Sequence, residues 1–427
     1  MKRFHTVLAS ALFIATFAAN ALASVPSAAS AVRADQQRVR WKNAPIKIAL
    51  SSSLTQSNTN IKTDSDVMGA LRQSLEAWQS VADVEFELVM SDKQNVSPAG
   101  AAGDRVNLIT VAQSAENVLL FTKSPQTESA KTRVFYNGSG HITEADIVLN
   151  PYQQFSTDGT FGTFDLQSTL THEIGHLLGL RHSGVMGSTM SDSTAKNGTF
   201  GFVDLGYRSL AESDIAAVRD IYGAFTDDAC CAAFAGKLTS ASLKPAKLRV
   251  WAEESSTGRV MGQTETAADG SFRLGGLHVG TYSVFWQKVG APGSSSIGDL
   301  GTFELGMEEI RVINEKVTAA SSDISLSYVG INGHLAGLAV PVSVGRDYLI
   351  YLGGTNIDQG QITIGFNSPF LKVSQDQPFE RDFGQDVSAT SFVVSVDQNT
   401  PPGVYSIFAA APDGSRSSLI GALNVEN

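Results

Sequence analysis

The stretch from His172 to His182 has the sequence HEIGHLLGLRH, and its spacing predicts both a helix and the point where that helix ends. His172 and His176 are four residues apart, so on a helix their rings lie one turn apart on the same face. Gly179 is expected to end the helix, because glycine accepts the left-handed conformation of a C-terminal cap. The chain can then turn back and bring His182 to the other two histidines. Three imidazoles that meet in this way predict a zinc site.

Three histidine ligands leave the fourth tetrahedral position of zinc open to water, which is typical of catalytic rather than structural zinc. Glu173 follows the first ligand and projects about 100° around the helix from it, beside the metal rather than on it. That position suits a general base that accepts a proton from the water. The alternative is a helix that is rich in histidine by chance. Five matching positions, in a helical context that ends at a glycine, favour the metal site.

The pattern HExxHxxGxxH resembles the extended zinc signature of the metzincin metallopeptidases. Ser183 directly after the third histidine and Met190 eight residues beyond it are similar to the matrixin branch of that group. The resemblance covers roughly residues 38–225. It implies a metzincin-like α/β fold with a twisted mixed sheet and three helices, one zinc ion on the three histidines, and Met190 as an apolar floor that does not bind the metal. Met186 competes for the role of floor, although its loop would be very short.

Some features depart from the family pattern. Ser191 and Asp192 follow the turn methionine where matrixins usually have proline, so the outer wall of the specificity pocket is not predicted. His141 is the one histidine between the expected signal peptide and the zinc helix, so a second, structural zinc is not expected. The pair Asp158-Gly159 falls where the family often binds calcium, which makes calcium a second candidate cofactor. An Asp-Gly pair is, however, more often a plain turn.

Hydrophobic periodicity predicts three helices in the first half of the chain, at residues 66–82, 164–180 and 209–223. The third has a capping-box pattern from Ser209 to Glu212 and a glycine at its end. Alternating apolar residues between the helices predict strands, and the class of this half is therefore mixed α/β.

The character of the sequence changes after residue 232, where helical periodicity gives way to short alternating strands and polar turns. This pattern predicts two all-β sandwich modules at residues 235–328 and 329–427, joined by a linker at residues 229–234 to a zinc metallopeptidase domain at residues 38–228. The first module resembles carboxypeptidase-regulatory-like or prealbumin-like modules, and the second resembles immunoglobulin-like modules of the bacterial surface. Neither resemblance names a ligand, although exposed aromatic side chains there could bind a surface or matrix partner.

The N-terminus has the three parts of a secretory signal peptide at residues 1–23: a basic start, an apolar run and a small-residue cleavage site that ends at Ala23. A flexible lead follows at residues 24–37. No later segment is apolar enough to span a membrane. We therefore expect a secreted, extracellular or periplasmic protein.

Charge and cysteine content exclude some classes of protein. The formal net charge is −11, and an acidic chain is not expected to bind nucleic acid, whose phosphates need a basic surface. Cys230 and Cys231 are adjacent and are the only cysteines, so no disulfide framework is expected. They could pair with each other, stay free or form an intermolecular link.

The sequence as a whole predicts an exported zinc-dependent endopeptidase. Its protein or peptide substrate is expected to lie extended along an edge strand near Ala145–Asn150. The alternative is a surface-binding or adhesion protein, in which the β modules attach and the metallopeptidase domain is accessory or degenerate. All four residues of the zinc chemistry are present, which favours the enzyme. The change in composition near residue 230 further predicts that the zinc domain folds without the modules.

Overall fold

A computed structural model describes most of the chain after residue 38. The described residues are 39–100, 102–202, 207–225, 230–239, 248–289, 297–318, 324–357, 362–374, 383 and 388–426. The expected signal peptide at residues 1–23, with its cleavage near Ala23, and the lead at residues 24–37 lie outside them. No helix of this described part is long and apolar enough to cross a membrane.

The zinc motif lies in an α/β unit that is built on a five-stranded sheet. Its strands are β1 (Ile46–Ser51), β2 (Phe86–Ser91), β3 (Asn107–Thr110), β4 (Ala130–Tyr136) and β5 (Ile142–Leu149). The order across the sheet is β2-β1-β3-β5-β4. Only β4 runs antiparallel to its neighbour, so the sheet is mixed, as the sequence predicts. Two short strands, β6 (Phe155–Ser156) and β7 (Phe164–Asp165), form a separate parallel pair.

The strand order corrects the expected position of the sheet edge. The expectation that residues Ala145–Asn150 form the edge is wrong, because β5 pairs with β3 on one side and with β4 on the other. β4 is the edge strand on this side of the described sheet, and β2 is the edge on the other side. The side chains of β5 are buried nearly throughout, whereas those of β4 are mostly half-buried. Burial on both faces is typical of an inner strand.

Four helices accompany the sheet, one more than the sequence predicts. They are α1 (Val67–Gln79), the short α2 (Ala115–Leu119), α3 (Leu166–Leu177) and α4 (Glu212–Tyr222). The two long central helices begin at aspartates whose carboxylates accept backbone N–H groups of the first turn. Asp66 accepts from Gly69 and Asp165 from Ser168, each at 2.8 Å. These caps satisfy N–H groups that have no partner within the helix.

The start of α4 differs from the prediction. Its N-cap is Ala211, so the expected capping box from Ser209 to Glu212 is wrong. Asp214 takes over part of that role, since its carboxylate accepts the N–H of Ala211 at 3.0 Å. The pattern failed because Ser209 lies three residues before the helix begins at Glu212. The other end is as predicted: Gly223 caps the helix with a φ of 83°.

The core of this unit lies between the sheet and the helices α1 and α3. Trp78 of α1 is 0% exposed, and its ring nitrogen donates to the carbonyl of Thr171 in α3 at 2.9 Å. Leu71, Leu75 and Ile174 are buried in the same cluster. The helix that carries the first two histidines of the motif is therefore fixed against α1 by one large side chain.

The described residues of the first β module form seven strands in two sheets. They are β8 (Cys230–Thr239), β9 (Leu248–Glu254), β10 (Val260–Glu265), β11 (Ser271–His278), β12 (Gly280–Lys288), β13 (Ile297–Leu305) and β14 (Ile310–Lys316). The sheet orders are β10-β9-β12-β13 and β11-β8-β14. Trp286 is buried in the core between them.

In the second β module, the part of the chain that the structure describes forms eight strands in two four-stranded sheets. They are β15 (Ser325–Gly330), β16 (Val340–Ser343), β17 (Arg346–Thr355), β18 (Thr363–Gly365), β19 (Leu371–Ser374), β20 (Ser388–Val396), β21 (Gly403–Ala410) and β22 (Arg416–Glu426). The sheet orders are β15-β17-β20-β19 and β16-β22-β21-β18.

The expected boundary between the zinc domain and the first module and the expected boundary between the two modules both need correction. Residues 230–234 are not a linker, because they form the first half of β8. The boundary between residues 328 and 329 falls inside β15, which pairs with β17 of the second module. We therefore call residues 230–318 the first module and residues 324–426 the second module. Cys230 and Cys231, at the start of β8, are joined to each other by a disulfide bond.

Removal of the Trp78 side chain tests the packing of α1 on α3. We expect Trp78→Ala to lower the free energy of unfolding of the α/β unit by about 3–5 kcal/mol, the usual cost of deleting a fully buried aromatic side chain. Met90→Ala is the control, since Met90 is 60% exposed and its loss should change stability by less than about 0.5 kcal/mol. Scanning calorimetry of the full chain measures both, and equal midpoints for the two variants would contradict this packing.

Candidate metal centre

Helix α3 and the turn that follows it bring three histidine rings to one point. One ligand nitrogen each from His172, His176 and His182 lies within 4.8 Å of the other two. The Nε2 atoms of His176 and His182 are 3.1 Å apart. His172 is buried, His176 is half-buried and His182 is exposed, so the group opens to solvent on one side. The three imidazoles predicted as ligands are therefore placed together.

The turn after α3 depends on Gly179. Its φ is 95°, in the left-handed region that favours glycine. A Cβ at this position would lie 2.3 Å from the carbonyl oxygen of Val39, so a side chain would collide with the backbone. Only glycine therefore fits the turn that returns the chain to the other histidines.

Backbone carbonyls fix the proton positions of the first two rings. Nδ1 of His172 lies 2.7 Å from the carbonyl oxygen of Thr189, and Nδ1 of His176 lies 2.9 Å from that of Leu180. A carbonyl oxygen can only accept, so each Nδ1 carries the proton and each Nε2 keeps its lone pair. Burial, and then the neighbouring histidine, lower the pKa of both rings to about 4. Both are therefore neutral near pH 7, as metal binding requires.

The donor set fits zinc. Imidazole nitrogens held at about 2.0–2.1 Å from a tetrahedral zinc lie about 3.3 Å from each other, close to the 3.1 Å between Nε2 of His176 and Nε2 of His182. A cation at this point satisfies lone pairs that otherwise face one another. The second nitrogen of two rings is already bonded to a carbonyl, which is the usual support of a histidine ligand.

Glu173 lies beside the three histidines and is not one of the ligand group found among the described residues. Its side chain is buried, and its carboxylate accepts the hydroxyl of Thr132, which projects from the edge strand β4. Burial raises the pKa of Glu173 above its ordinary value. A buried carboxylate with a raised pKa is a stronger base than one in water.

Met190 packs beneath the zinc helix. It is 2% exposed, and a Cβ added to Gly175 would lie 2.2 Å from its sulfur and 2.9 Å from the ring of Trp78. Gly175 thus lets the methionine and the tryptophan approach the backbone between the first two histidines. Met186, the competing candidate, packs against the second module instead.

Asp214 holds the turn that contains Met190. Its carboxylate accepts the N–H of Thr189 at 2.8 Å, the N–H of Met190 at 3.1 Å and the hydroxyl of Ser188. Burial raises the pKa of Asp214, and these donated hydrogen bonds oppose that rise. The carbonyl of Thr189 in turn accepts the proton of His172. One buried carboxylate therefore supports both the methionine and the first histidine.

A pocket opens beside His172. Its lining consists of residues from β7 and α3, from the turn at Thr189 and from the chain that follows; they are Phe164, Asp165, Ser168, Thr169, His172, Thr189, Ser193, Thr194, Ala195, Lys196, Asn197 and Tyr207. The ammonium of Lys196 lies 5.1 Å from the centre of the Phe164 ring. One side of this pocket is thus formed by residues 193–197 and Tyr207.

Sequence reasoning missed three supporting residues: Thr132, Gly175 and Asp214. Gly175 lies inside the motif, and a glycine in the middle of a helix is itself a signal of close packing. An aspartate in the first turn of a predicted helix, such as Asp214, is a signal of an N-terminal hydrogen bond. Thr132 gave no signal, because its partner lies 41 residues away in the sequence.

The Asp158-Gly159 pair forms a turn. The carboxylate of Asp158 contacts the ammonium of Lys62 and accepts the N–H of Thr160 at 3.1 Å. A cationic side chain therefore pairs with the carboxylate that was a candidate calcium ligand.

Comparison with known proteins agrees with this geometry. Residues 40–223 match the model of the matrixin family. A curated relative, metalloendoproteinase 4-MMP of Arabidopsis thaliana, is 27% identical over 44% of this chain and 48% of its own. Matrix metalloproteinase-19 of Homo sapiens is 30% identical over 36% of this chain and 25% of its own. The chain thus spans about half of the plant protein and a quarter of the human one.

Similarity to solved structures is low. The SGBP-B protein of the Bacteroides ovatus mixed-linkage glucan utilization locus, in complex with a mixed-linkage heptasaccharide, is 14% identical, with a TM-score of 0.19 over 45% of this chain and 43% of that one. BcpA, the major pilin subunit of Bacillus cereus, is 14% identical, with a TM-score of 0.15 over 46% of this chain and 69% of that one. Such scores assign no fold. The sequence matches, by contrast, support a matrixin-like metallopeptidase domain at residues 40–223.

Proposed function

We propose that this chain is an exported zinc-dependent endopeptidase. The observation that carries the proposal is the convergence of three imidazoles, two of them held as neutral ligands by backbone carbonyls, next to a buried carboxylate that is not a ligand. The match to the matrixin family over the same residues supports it. Export rests on the signal-peptide pattern of residues 1–23.

His172, His176 and His182 would hold the zinc ion. When bound there, zinc would supply polarisation of the scissile carbonyl and a lowered pKa of the attacking water. Glu173 accepts the proton of that water and passes it to the nitrogen of the leaving amine. The hydroxyl of Thr132 holds the carboxylate in place for both transfers.

An extended peptide would bind along the free edge of β4. The unpaired backbone groups of an edge strand can accept a further strand, which is a common way to bind peptides. Thr132 lies on this strand and contacts Glu173, so a peptide paired with β4 passes close to the general base. The pocket beside His172 would receive one side chain of the substrate.

His176→Ala tests the ligand assignment. The variant removes the middle ligand, so we expect it to lose both zinc and peptide hydrolysis. Atomic absorption on the purified full chain, beside turnover of a peptide library, measures both quantities. The control is His278→Ala, since His278 lies in the first module and contacts Arg219. Stoichiometric zinc in His176→Ala would refute the site.

Glu173→Gln tests the general base. Glutamine keeps the shape of the side chain but cannot accept the proton, so turnover should fall by about 10²–10⁴-fold while zinc stays bound. Glu87→Gln is the matched control, because Glu87 is exposed on β2 and pairs only weakly with Lys47 at 3.5 Å. Near-normal turnover in Glu173→Gln would show that another group takes the proton.

Asp214→Asn tests the support of the metal centre from beneath. Asparagine offers one acceptor oxygen where the carboxylate offers two, so at least one N–H of the turn loses its partner. We expect zinc affinity, measured by competition with a chelator, to fall by about 10–100-fold, as for other residues that hold a metal ligand in place. Asp220→Asn on the same helix, which breaks the ion pair with Arg273, should leave the affinity unchanged. Equal affinities in the two variants would exclude this role.

A further inference from the structure

The wall of the pocket beside His172 packs against the second module. We call residues 193–202 together with Tyr207 the pocket wall; residues 193–197 and Tyr207 line the pocket itself. Ala195, Phe200, Phe202 and Tyr207 all contact the hydrophobic core of the second module. The regular structure of the wall is limited to a β-bridge of Lys196 with Phe164 in the α/β unit and one short 3₁₀ turn at Thr199–Gly201. Its shape therefore also depends on what it packs against.

Phe200 is the residue of the wall that enters the module most deeply. It is 2% exposed and belongs to the core cluster of the second module. Its φ is 56°, a backbone conformation that a bulky side chain rarely adopts. Such strain persists where the surroundings fix the residue more strongly than the backbone resists. The burial of the aromatic ring in the second module supplies that fixation.

Two side-chain hydrogen bonds attach the wall, one to each unit. The side-chain amide of Asn332 in the second module donates to the carbonyl oxygen of Phe200 at 2.9 Å. At the other end of the wall, the side chain of Asn197 donates to the hydroxyl of Thr163 at 3.1 Å in the α/β unit. The pocket wall is therefore attached to the zinc unit at one end and to the second module at the other.

The segment between His182 and the turn methionine is attached to the same module. The N–H groups of Met186 and Gly187 donate to the carbonyls of Ile420 and Gly421 in β22, at 2.8 and 3.0 Å. The hydroxyl of Tyr207 donates to the carbonyl of Met186 at 3.2 Å. These bonds form another contact with the second module, directly behind the pocket wall.

We propose that the second module determines the substrate specificity of the proposed peptidase, by fixing the pocket wall through Phe200. The inference rests on the proposed function and adds a role for the module within the same site. Phe200 acts as a positioning residue, since it lines neither the pocket nor the metal centre. A fixed wall accepts only side chains that fit the pocket, whereas a mobile wall would adapt to many.

The variant Phe200→Gly in the full chain tests whether Phe200 positions the pocket wall or is only a turn residue. Glycine removes the backbone strain at a positive φ but also removes the ring. If Phe200 were only a turn residue, the variant would exchange amide hydrogens of residues 193–202 no faster than the wild type. We expect those amides to exchange about ten-fold faster or more, because local opening no longer has to withdraw a buried ring.

The same variant should keep its zinc and change its preference among peptides. In a peptide library, we expect the ratio of kcat/KM between the best and the average cleavage site to fall about ten-fold. The loss should lie mainly in KM for the best peptides, with kcat within a few-fold of wild type. Unchanged preference, or a loss of zinc from Phe200→Gly, would overturn the proposal.

Asn332→Asp is a second variant that decides the matter if Phe200→Gly does not fold. Aspartate keeps the size of the side chain and tolerates its φ of 55°, but it cannot donate to Phe200. It should raise exchange in residues 193–202 and broaden the preference in the same direction. Asn356→Asp is the matched control, since Asn356 has the same φ and lies at the opposite end of the β15–β17 pair.

The proposed peptidase activity and the role of the second module can be refuted separately. A wild-type chain that binds zinc but cleaves no peptide would refute the proposed function, whatever the exchange rates show. A wild-type chain that cleaves peptides, with both variants matching it in exchange and preference, would refute the role of the second module alone.

Discussion

The buried carboxylate of Asp214 is the interaction on which the metal centre depends. It gathers hydrogen bonds from the start of α4 and from three successive residues of the methionine turn. Thr189, whose N–H donates to Asp214, in turn accepts the Nδ1 proton of His172 at its carbonyl. A buried charge is costly unless it is fully hydrogen-bonded, so this arrangement requires all of its partners to be in place together. The last helix of the unit, far from the zinc motif in sequence, thereby becomes part of the metal site.

The segment that carries the third histidine also depends on hydrophobic contacts with both modules. Val185, three residues after His182, is 0% exposed and shares one buried cluster with Trp251 of the first module and Ile420 of the second. The α/β unit and both modules therefore meet at the segment that carries the third histidine. Ala216 of α4 likewise belongs to the core of the first module. If the α/β unit were separated from the modules, this apolar surface would be exposed to water. The prediction that the zinc domain folds without the modules did not consider that surface.

Because the modules share buried clusters with the α/β unit, they are not independent of the candidate metal centre. Modules on a flexible tether could bind a surface or a large substrate without affecting the reaction. Here the described residues between His182 and Tyr207 lie between the candidate metal centre and the β sandwiches, and their backbone bonds to both. Any module partner would therefore act next to the candidate site. The free edge of β4 and Glu173, the proposed general base, both lie on the α/β unit itself, where Thr132 contacts Glu173.

By itself the sequence determined the local features, because each depends on residues a few positions apart. The spacing of His172 and His176, the glycine that ends their helix, the mixed α/β character and the two β modules all follow from periodicity and turn chemistry. Only the tertiary structure decided which strand is the sheet edge, where α4 begins, which residues support the ligands and what lies behind the pocket wall. These features join residues that are far apart in the chain, such as Thr132 with Glu173 and Phe200 with Asn332. Their pairing is set by the packing of whole elements, which no short stretch of sequence encodes.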